Sequence, residues 1–220
     1  YYDLFVKQNI TPVFFNSLII AVCSTFLSVS LGTLAAYVFA RSRSRRLKGL
    51  LSLILTGRMM PAVALLIPLY MVVRQLNLVN TKASLIVAYT AMCLPFAIYM
   101  MMGFISQIPY EIEESGIIDG CSTFKVLVLL ILPLIGPGLA TTAIFNFLTG
   151  WNEYLFAVTF ISDSGARTIP VALMAFDTGR NTYWGPRFAL MVISLIPACV
   201  FTLAAQKYLV AGVTLGAVKG

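Results

Sequence analysis

Five stretches of this chain, about residues 16–40, 49–73, 83–105, 124–160 and 188–209, run for twenty residues or more with almost no charge. A helix rises about 1.5 Å per residue and the hydrocarbon core of a bilayer is about 30 Å thick, so roughly 20 apolar residues reach across it. Each stretch is long enough to do so. The whole sequence is 60% hydrophobic and 10% charged, against roughly 25% charged residues in a soluble domain. A soluble fold of 220 residues could not hide that much apolar surface, so lipid has to cover part of it. The expected fold is therefore all-α, a polytopic membrane helix bundle with five spans in a single domain over residues 1–220.

Orientation follows from the cations. Arg41, Arg43, Arg45, Arg46 and Lys48 crowd the connection after the first stretch, which marks it as cytoplasmic under the positive-inside rule. The first span then runs from outside to inside, as do the third and fifth. A net charge of +7 could suggest nucleic acid, but the cations lie between apolar blocks instead of along one solvated face, and no nucleic-acid partner is expected. Residues 1–15 lack the charged and apolar regions of a signal peptide and there is no initiator methionine, so the chain is expected to begin partway into a longer one.

Enzymatic readings find little support. There is no histidine, and Cys23, Cys93, Cys121 and Cys199 are scattered without a C-x-x-C pair, which leaves no metal site. The phosphate-binding pattern G-x-x-x-x-G-K-[ST] is missing, so ATP is not held by that route. Arg58 and Glu153 are the ionisable residues inside apolar stretches. Two charges at such depth are costly unless paired or wet, so they are expected either to stabilise one another or to face a watered cavity separately. Pro61, Pro68, Pro95, Pro133, Pro137 and Pro197 would kink spans, as suits packing or a protein that moves.

The cytoplasmic connection over residues 106–125 carries the most specific signal. Pro109 suits a helix N1 position, Glu111, Glu113 and Glu114 suit the positive end of the helix dipole, and Gly120 can close the helix at C′ after Asp119. Helices that float on lipid usually present Lys and Arg, whereas this one presents acids, with small Ser115 and Gly116 that would let another backbone approach. A protein partner beneath it is expected.

At this point the sequence resembles the permease family of binding-protein-dependent ABC importers, whose signature is E-A-A, three residues, Gly, nine residues, Ile or Leu, one residue, then Leu-Pro. Glu114-Ser115-Gly116, Gly120, Leu130 and Leu132-Pro133 match it, with Ser-Gly replacing Ala-Ala. Asn16-Ser17-Leu18, Ala35-Ala36-Tyr37 with Arg41, Arg58-Met59-Met60-Pro61, Leu94-Pro95-Phe96, Trp151-Asn152-Glu153-Tyr154 and the ending from Gly212 to Gly220 resemble the sugar-uptake branch, in particular the second permease of maltose-type systems.

That resemblance implies the type I importer permease fold, with a sixth, N-terminal span preceding this chain. It also implies a bacterial or archaeal plasma membrane, a second homologous permease, an extracytoplasmic solute-binding protein and a sugar-like solute. ATP and Mg would reside on a partner ATPase dimer, with no cofactor on this chain. Glu111, Glu113, Glu114, Ser115, Gly116, Asp119 and Gly120 would then form the ATPase-coupling helix, within about Tyr110 to Thr123, while Trp151, Asn152 and Tyr154 become candidates for lining the pathway. The outer loop over residues 161–186 would reach the binding protein or lie as an interfacial helix, and the tail over 210–220 would touch the ATPase or be disordered. An ATP-independent channel or secondary transporter shares the hydropathy, but it would have no use for an acidic docking helix.

Overall fold

The computed structural model of the protein describes residues 2–6, 8–177 and 182–217. A short helix α1 (Tyr2–Val6) leads into α2 (Ile10–Arg41), followed by α3 (Arg45–Arg58), α4 (Ala62–Gln75), α5 (Lys82–Ser106) and α6 (Glu111–Ile118). Next come α7 (Thr123–Val126), a wide π turn over Leu127–Ile131, α8 (Leu132–Leu134), α9 (Gly136–Trp151) and α10 (Leu155–Phe160). The chain closes with α11 (Ile169–Ala175) and α12 (Trp184–Ala217). No strand is formed among the described residues, so the all-α expectation holds.

Three helices, α2, α5 and α12, are long and apolar enough to cross a bilayer alone, and two bent pairs bring the number of candidate spans to five. The second apolar stretch, expected to be kinked by Pro61 and Pro68, is bent more sharply than a kink. It divides at Met59–Pro61 into α3 and α4, which lie 108° apart. Pro61 has no N–H to extend α3 and instead caps α4, so the chain turns there. Likewise the fourth stretch bends by 80° between Leu134 and Gly136. Pro133 cannot donate to the carbonyl one turn earlier, and the π turn just before it absorbs the mismatch. At the far end α12 continues through Gly212 and Gly216 to Ala217, where the sequence suggested an exit from helix near Leu209; residues 218–220 of the expected tail lie outside the described residues.

α2 is the axis of the bundle, packed along α5 and α9. Without a hydrophobic driving force between helices in lipid, close approach by small residues does the work. Gly32 shows this: a Cβ built there would sit 2.6 Å from the Ala97 Cβ and 3.2 Å from backbone of α5. Backbone cannot swing aside as a side chain can. Gly32→Ala is therefore expected to push α2 from α5 and destabilise the protein by about 1–3 kcal/mol, read as a lower thermal midpoint in detergent.

Apolar side chains fill three clusters along this axis. One joins Phe147 and Trp151 of α9 to Ile169, Ala172 and Leu190. A second sets Tyr89 of α5 against Phe156 and Phe160 of α10. The third packs Ala36, Met101 and Ile105 on Val126 and Ile131, directly behind α6. It gives α6 a firm backing.

Candidate functional site

Helix α6 begins two residues later than proline placement suggested, with Tyr110 at its N-cap and Pro109 just outside. Its three glutamates occupy the first turn, where the helix dipole favours them. At the other end the Gly120 N–H donates to the Ile117 carbonyl (3.0 Å) and the Cys121 N–H to the Gly116 carbonyl (2.9 Å). This pair of bonds is the Schellman closure, with Gly120 left-handed at φ 84° as its C′ residue. The expectation for Gly120 is met.

The two faces of α6 are not arranged as the acidic pattern suggested. Glu113 is only 2% exposed and points into the protein. Arg41 Nε donates to its Oε1 at 2.5 Å and the Tyr37 hydroxyl to its Oε2 at 2.8 Å, while Arg41 Nη2 donates to the Ile108 carbonyl at 3.0 Å. Both carboxylate oxygens of Glu113 thus have partners within the chain, and Glu113 is not displayed to a partner subunit. Gly116 is also turned inward: a Cβ there would meet Leu130 at 2.6 Å and Val126 at 3.2 Å. Its small size admits the chain's own π turn, not a foreign backbone.

The outward face holds Glu111, Glu114, Ser115 and Asp119 around apolar residues that the sequence reading passed over. Ile118 is 84% exposed, with Ile117 half exposed beside it, while Tyr110, at the other end of the helix, has the Arg41 guanidinium 5.8 Å from its ring centre. The Ser115 hydroxyl donates to the Ile112 carbonyl at 2.9 Å and so remains on its own helix. Hydrophobic residues on a face rimmed by carboxylates suit a protein surface better than water or anionic lipid.

Within the bundle, the bend between α3 and α4 opens a cavity of about 920 Å³ against α5 and α9. Arg58, Phe96, Phe145, Asn146 and Thr149 contribute to its wall. The Arg58 guanidinium lies over the Phe96 ring, 4.4 Å from its centre. Asn146 is held by its Nδ2 donating to Ser28 Oγ at 2.8 Å. Aromatic faces beside an amide, a hydroxyl and a cation can stack on and hydrogen-bond a polar solute.

Arg58 and Glu153 do not pair. The ion pairs among the described residues include Arg41–Glu113 and Arg187–Asp177. Glu153 instead turns its carboxylate onto α10, accepting the Phe156 N–H at 3.0 Å and the Ala157 N–H at 3.2 Å. Each charge sits at a helix break and finds a local partner there. Trp151, Asn152 and Tyr154 are not in the cavity wall. Trp151 is buried, donating its indole N–H to the Ser194 carbonyl at 3.1 Å and stacking on Phe147. Asn152 donates to the Leu148 carbonyl at 2.8 Å, and Tyr154 lies partly exposed ahead of α10.

The described part of the loop after α10, expected on the outer side, is built, not slack. Asn16 Nδ2 donates to the carbonyls of Gly165 (2.9 Å) and Arg167 (3.1 Å), Ser17 Oγ accepts the Ile169 N–H (2.8 Å), and Asn80 Oδ1 accepts the Ser162 N–H (2.6 Å). Its apolar stretch forms α11, and Gly179 and Arg180 lie outside the described residues.

Comparison with known proteins agrees with these features. Residues 28–215 match the family model described as binding-protein-dependent transport system inner membrane component. The chain is 34% identical over 220 residues to the sulfoquinovosyl glycerol transport system permease protein of Agrobacterium fabrum, covering 100% of this chain and 77% of that one. It is 37% identical over 206 residues to the trehalose/maltose transport system permease protein of Thermococcus litoralis, covering 93% and 74% respectively. A chain of a bacterial ABC transporter involved in the import of the acidic polysaccharide alginate superposes with a TM-score of 0.78 at 22% identity, over 90% of this chain and 74% of that one. With its signature loop closed by Gly120 and its spans arranged as in ABC importer permeases, the chain belongs to the family of inner membrane components of binding-protein-dependent transport systems.

Proposed function

We propose that this chain is one permease of an ATP-driven importer for a carbohydrate or polyol in a bacterial or archaeal plasma membrane. It forms half of the pathway beside a second permease, receives solute from an external binding protein, and takes up ATPase motion at α6. ATP and Mg belong to the ATPase subunits. The observation that carries this reading is the outward face of α6, where Ile118 and Ile117 stand exposed among the exposed carboxylates of Glu111, Glu114 and Asp119. Such a face is costly in water and complete only against a protein.

The solute class is supported by the relatives named for sulfoquinovosyl glycerol and for trehalose and maltose, and by the aromatic and amide lining of the cavity. Its 920 Å³ lies within the range of small-molecule sites, roughly 300–1,000 Å³. The pathway reading moves from Trp151, Asn152 and Tyr154 to Arg58, Phe96, Phe145, Asn146 and Thr149.

A cysteine in place of Ile118, carrying a thiol-attached photo-crosslinker, should cross-link to the ATPase in the assembled complex, and uptake into vesicles should require ATP on the ATPase side. Truncating the exposed knob, Ile118→Ala, is expected to weaken ATPase association about fivefold by loss of apolar burial, with Glu114→Ala acting in the same direction. Uptake without ATP, and purification with no ATPase, would instead establish a channel or secondary transporter.

A further inference from the structure

α2 differs from every other span. It is continuous over 32 residues, and its one proline, Pro12, lies in the first turn. α5 carries Pro95 in its interior and α12 carries Pro197, while the remaining candidate spans bend by 108° and 80°. A helix without such breaks transmits displacement along its length, whereas a kinked one flexes at the missing hydrogen bond.

α2 is also fastened at both ends to the two surfaces where partners would meet the protein. Inside, Arg41 and Tyr37 grip Glu113 of α6, and Arg41 holds the Ile108 carbonyl just before it. Outside, Asn16 and Ser17 grip the backbone of the outer loop at Gly165, Arg167 and Ile169. Asn16, Ser17 and Glu113 are each buried. A buried charge is expensive to strand, so the inner grip resists opening when α6 is displaced. The covalent exit from α6, by contrast, runs through Gly120, a left-handed glycine with open space around it. One connection is a clamp and the other a pivot.

We propose that Arg41, with Tyr37, is a positioning residue that makes α2 a connecting rod, carrying displacement of α6 roughly 37 Å along the helix to the outer loop. The proposal rests on the reading of α6 as the ATPase-docking helix. It goes beyond that reading by naming a second output, parallel to the hinge at Gly120, and its destination. The outer loop would thus be told of nucleotide state by a helix and not by the kinked spans.

The test needs no knowledge of the solute. In the complete transporter, labelling of Met174→Cys by a membrane-impermeant maleimide is measured above the background of the native cysteines, without nucleotide and with ATP and vanadate. A photo-cross-link from a labelled Ile118→Cys to the ATPase reports docking in parallel. The unsubstituted rod is expected to give labelling rates that differ about fivefold or more between the two states. Arg41→Gln and Asn16→Ala should each bring that ratio close to unity with the Ile118→Cys cross-link retained. Tyr37→Phe, which removes one hydrogen bond to a charged group, should reduce the ratio about threefold. Should Arg41→Gln fail to assemble, Tyr37→Phe decides the question. A ratio unchanged in Tyr37→Phe, or equal labelling in both states of the unsubstituted protein, overturns the rod. Absence of the Ile118→Cys cross-link sinks the docking reading itself.

Discussion

Gly120→Val is expected to give a transporter that assembles, hydrolyses ATP and imports about five- to thirtyfold less solute per ATP than the unsubstituted protein, because a Cβ strains this conformation by roughly 1–2 kcal/mol. The reason is purely a backbone one. At φ 84° the position lies in the left-handed region, yet a Cβ built there meets nothing within 4 Å. Sterics with neighbours therefore play no part. The chain relieves the strain by reopening the two closing bonds, Gly120 N–H to Ile117 and Cys121 N–H to Gly116, and α7 then leaves α6 at another angle. Docking at Ile118 and Glu114 precedes the joint and is spared. Asparagine tolerates left-handed geometry, so Gly120→Asn should keep most of the coupling that Gly120→Val loses. Equal losses in the two variants would show that bulk, not conformation, is at issue. Equal retention in both would remove Gly120 from the transmission path.

Gly120 could be placed from sequence because helix termination is a local matter, decided by a few neighbouring residues. The same holds for α5, which starts after the cap Thr81, whose side chain accepts the Ser84 N–H, whereas α2 starts six residues before its apolar stretch and α12 runs eight residues past its own. The orientation of α6 about its own axis was not legible. Glu113 and Gly116 are three apart and share a face, but nothing within the loop says that this face is the inner one. The deciding groups are Tyr37 and Arg41, one turn apart on α2 and more than seventy positions away in the chain. Carboxylates normally face water, and here an arginine at the end of a span reverses that preference for one of the three.

The bends were half legible for a similar reason. Pro61 and Pro133 announce interruptions, but a proline in a membrane helix can produce a mild kink or a sharp turn according to which neighbours satisfy the freed carbonyls. Only the packed bundle decides. As a result the cavity walled by Arg58, Phe96 and Asn146, which depends on the turn between α3 and α4, could not be foreseen from the apolar segments alone.

Glu153→Ala is expected to destabilise the folded protein by about 3 kcal/mol, because it strands two backbone donors at the start of α10, each costing roughly 1–3 kcal/mol unpaired. Phe156 and Ala157, whose N–H groups lose their acceptor, are both fully buried, so water cannot replace the carboxylate cheaply. Glu153→Gln should recover part of the loss, since the amide oxygen can accept one of the two bonds while its NH₂ group faces a donor. Arg58→Ala removes a cation held over Phe96, an interaction on the order of 0.5–2 kcal/mol, and its main consequence should fall on passage through the cavity instead of on stability. Because the two charges occupy separate helix breaks with separate partners, Arg58→Ala and Glu153→Ala are expected to be additive in thermal unfolding within about 0.5 kcal/mol. A coupling energy above about 1 kcal/mol would contradict their independence and show that Arg58 and Glu153 meet in another state of the protein.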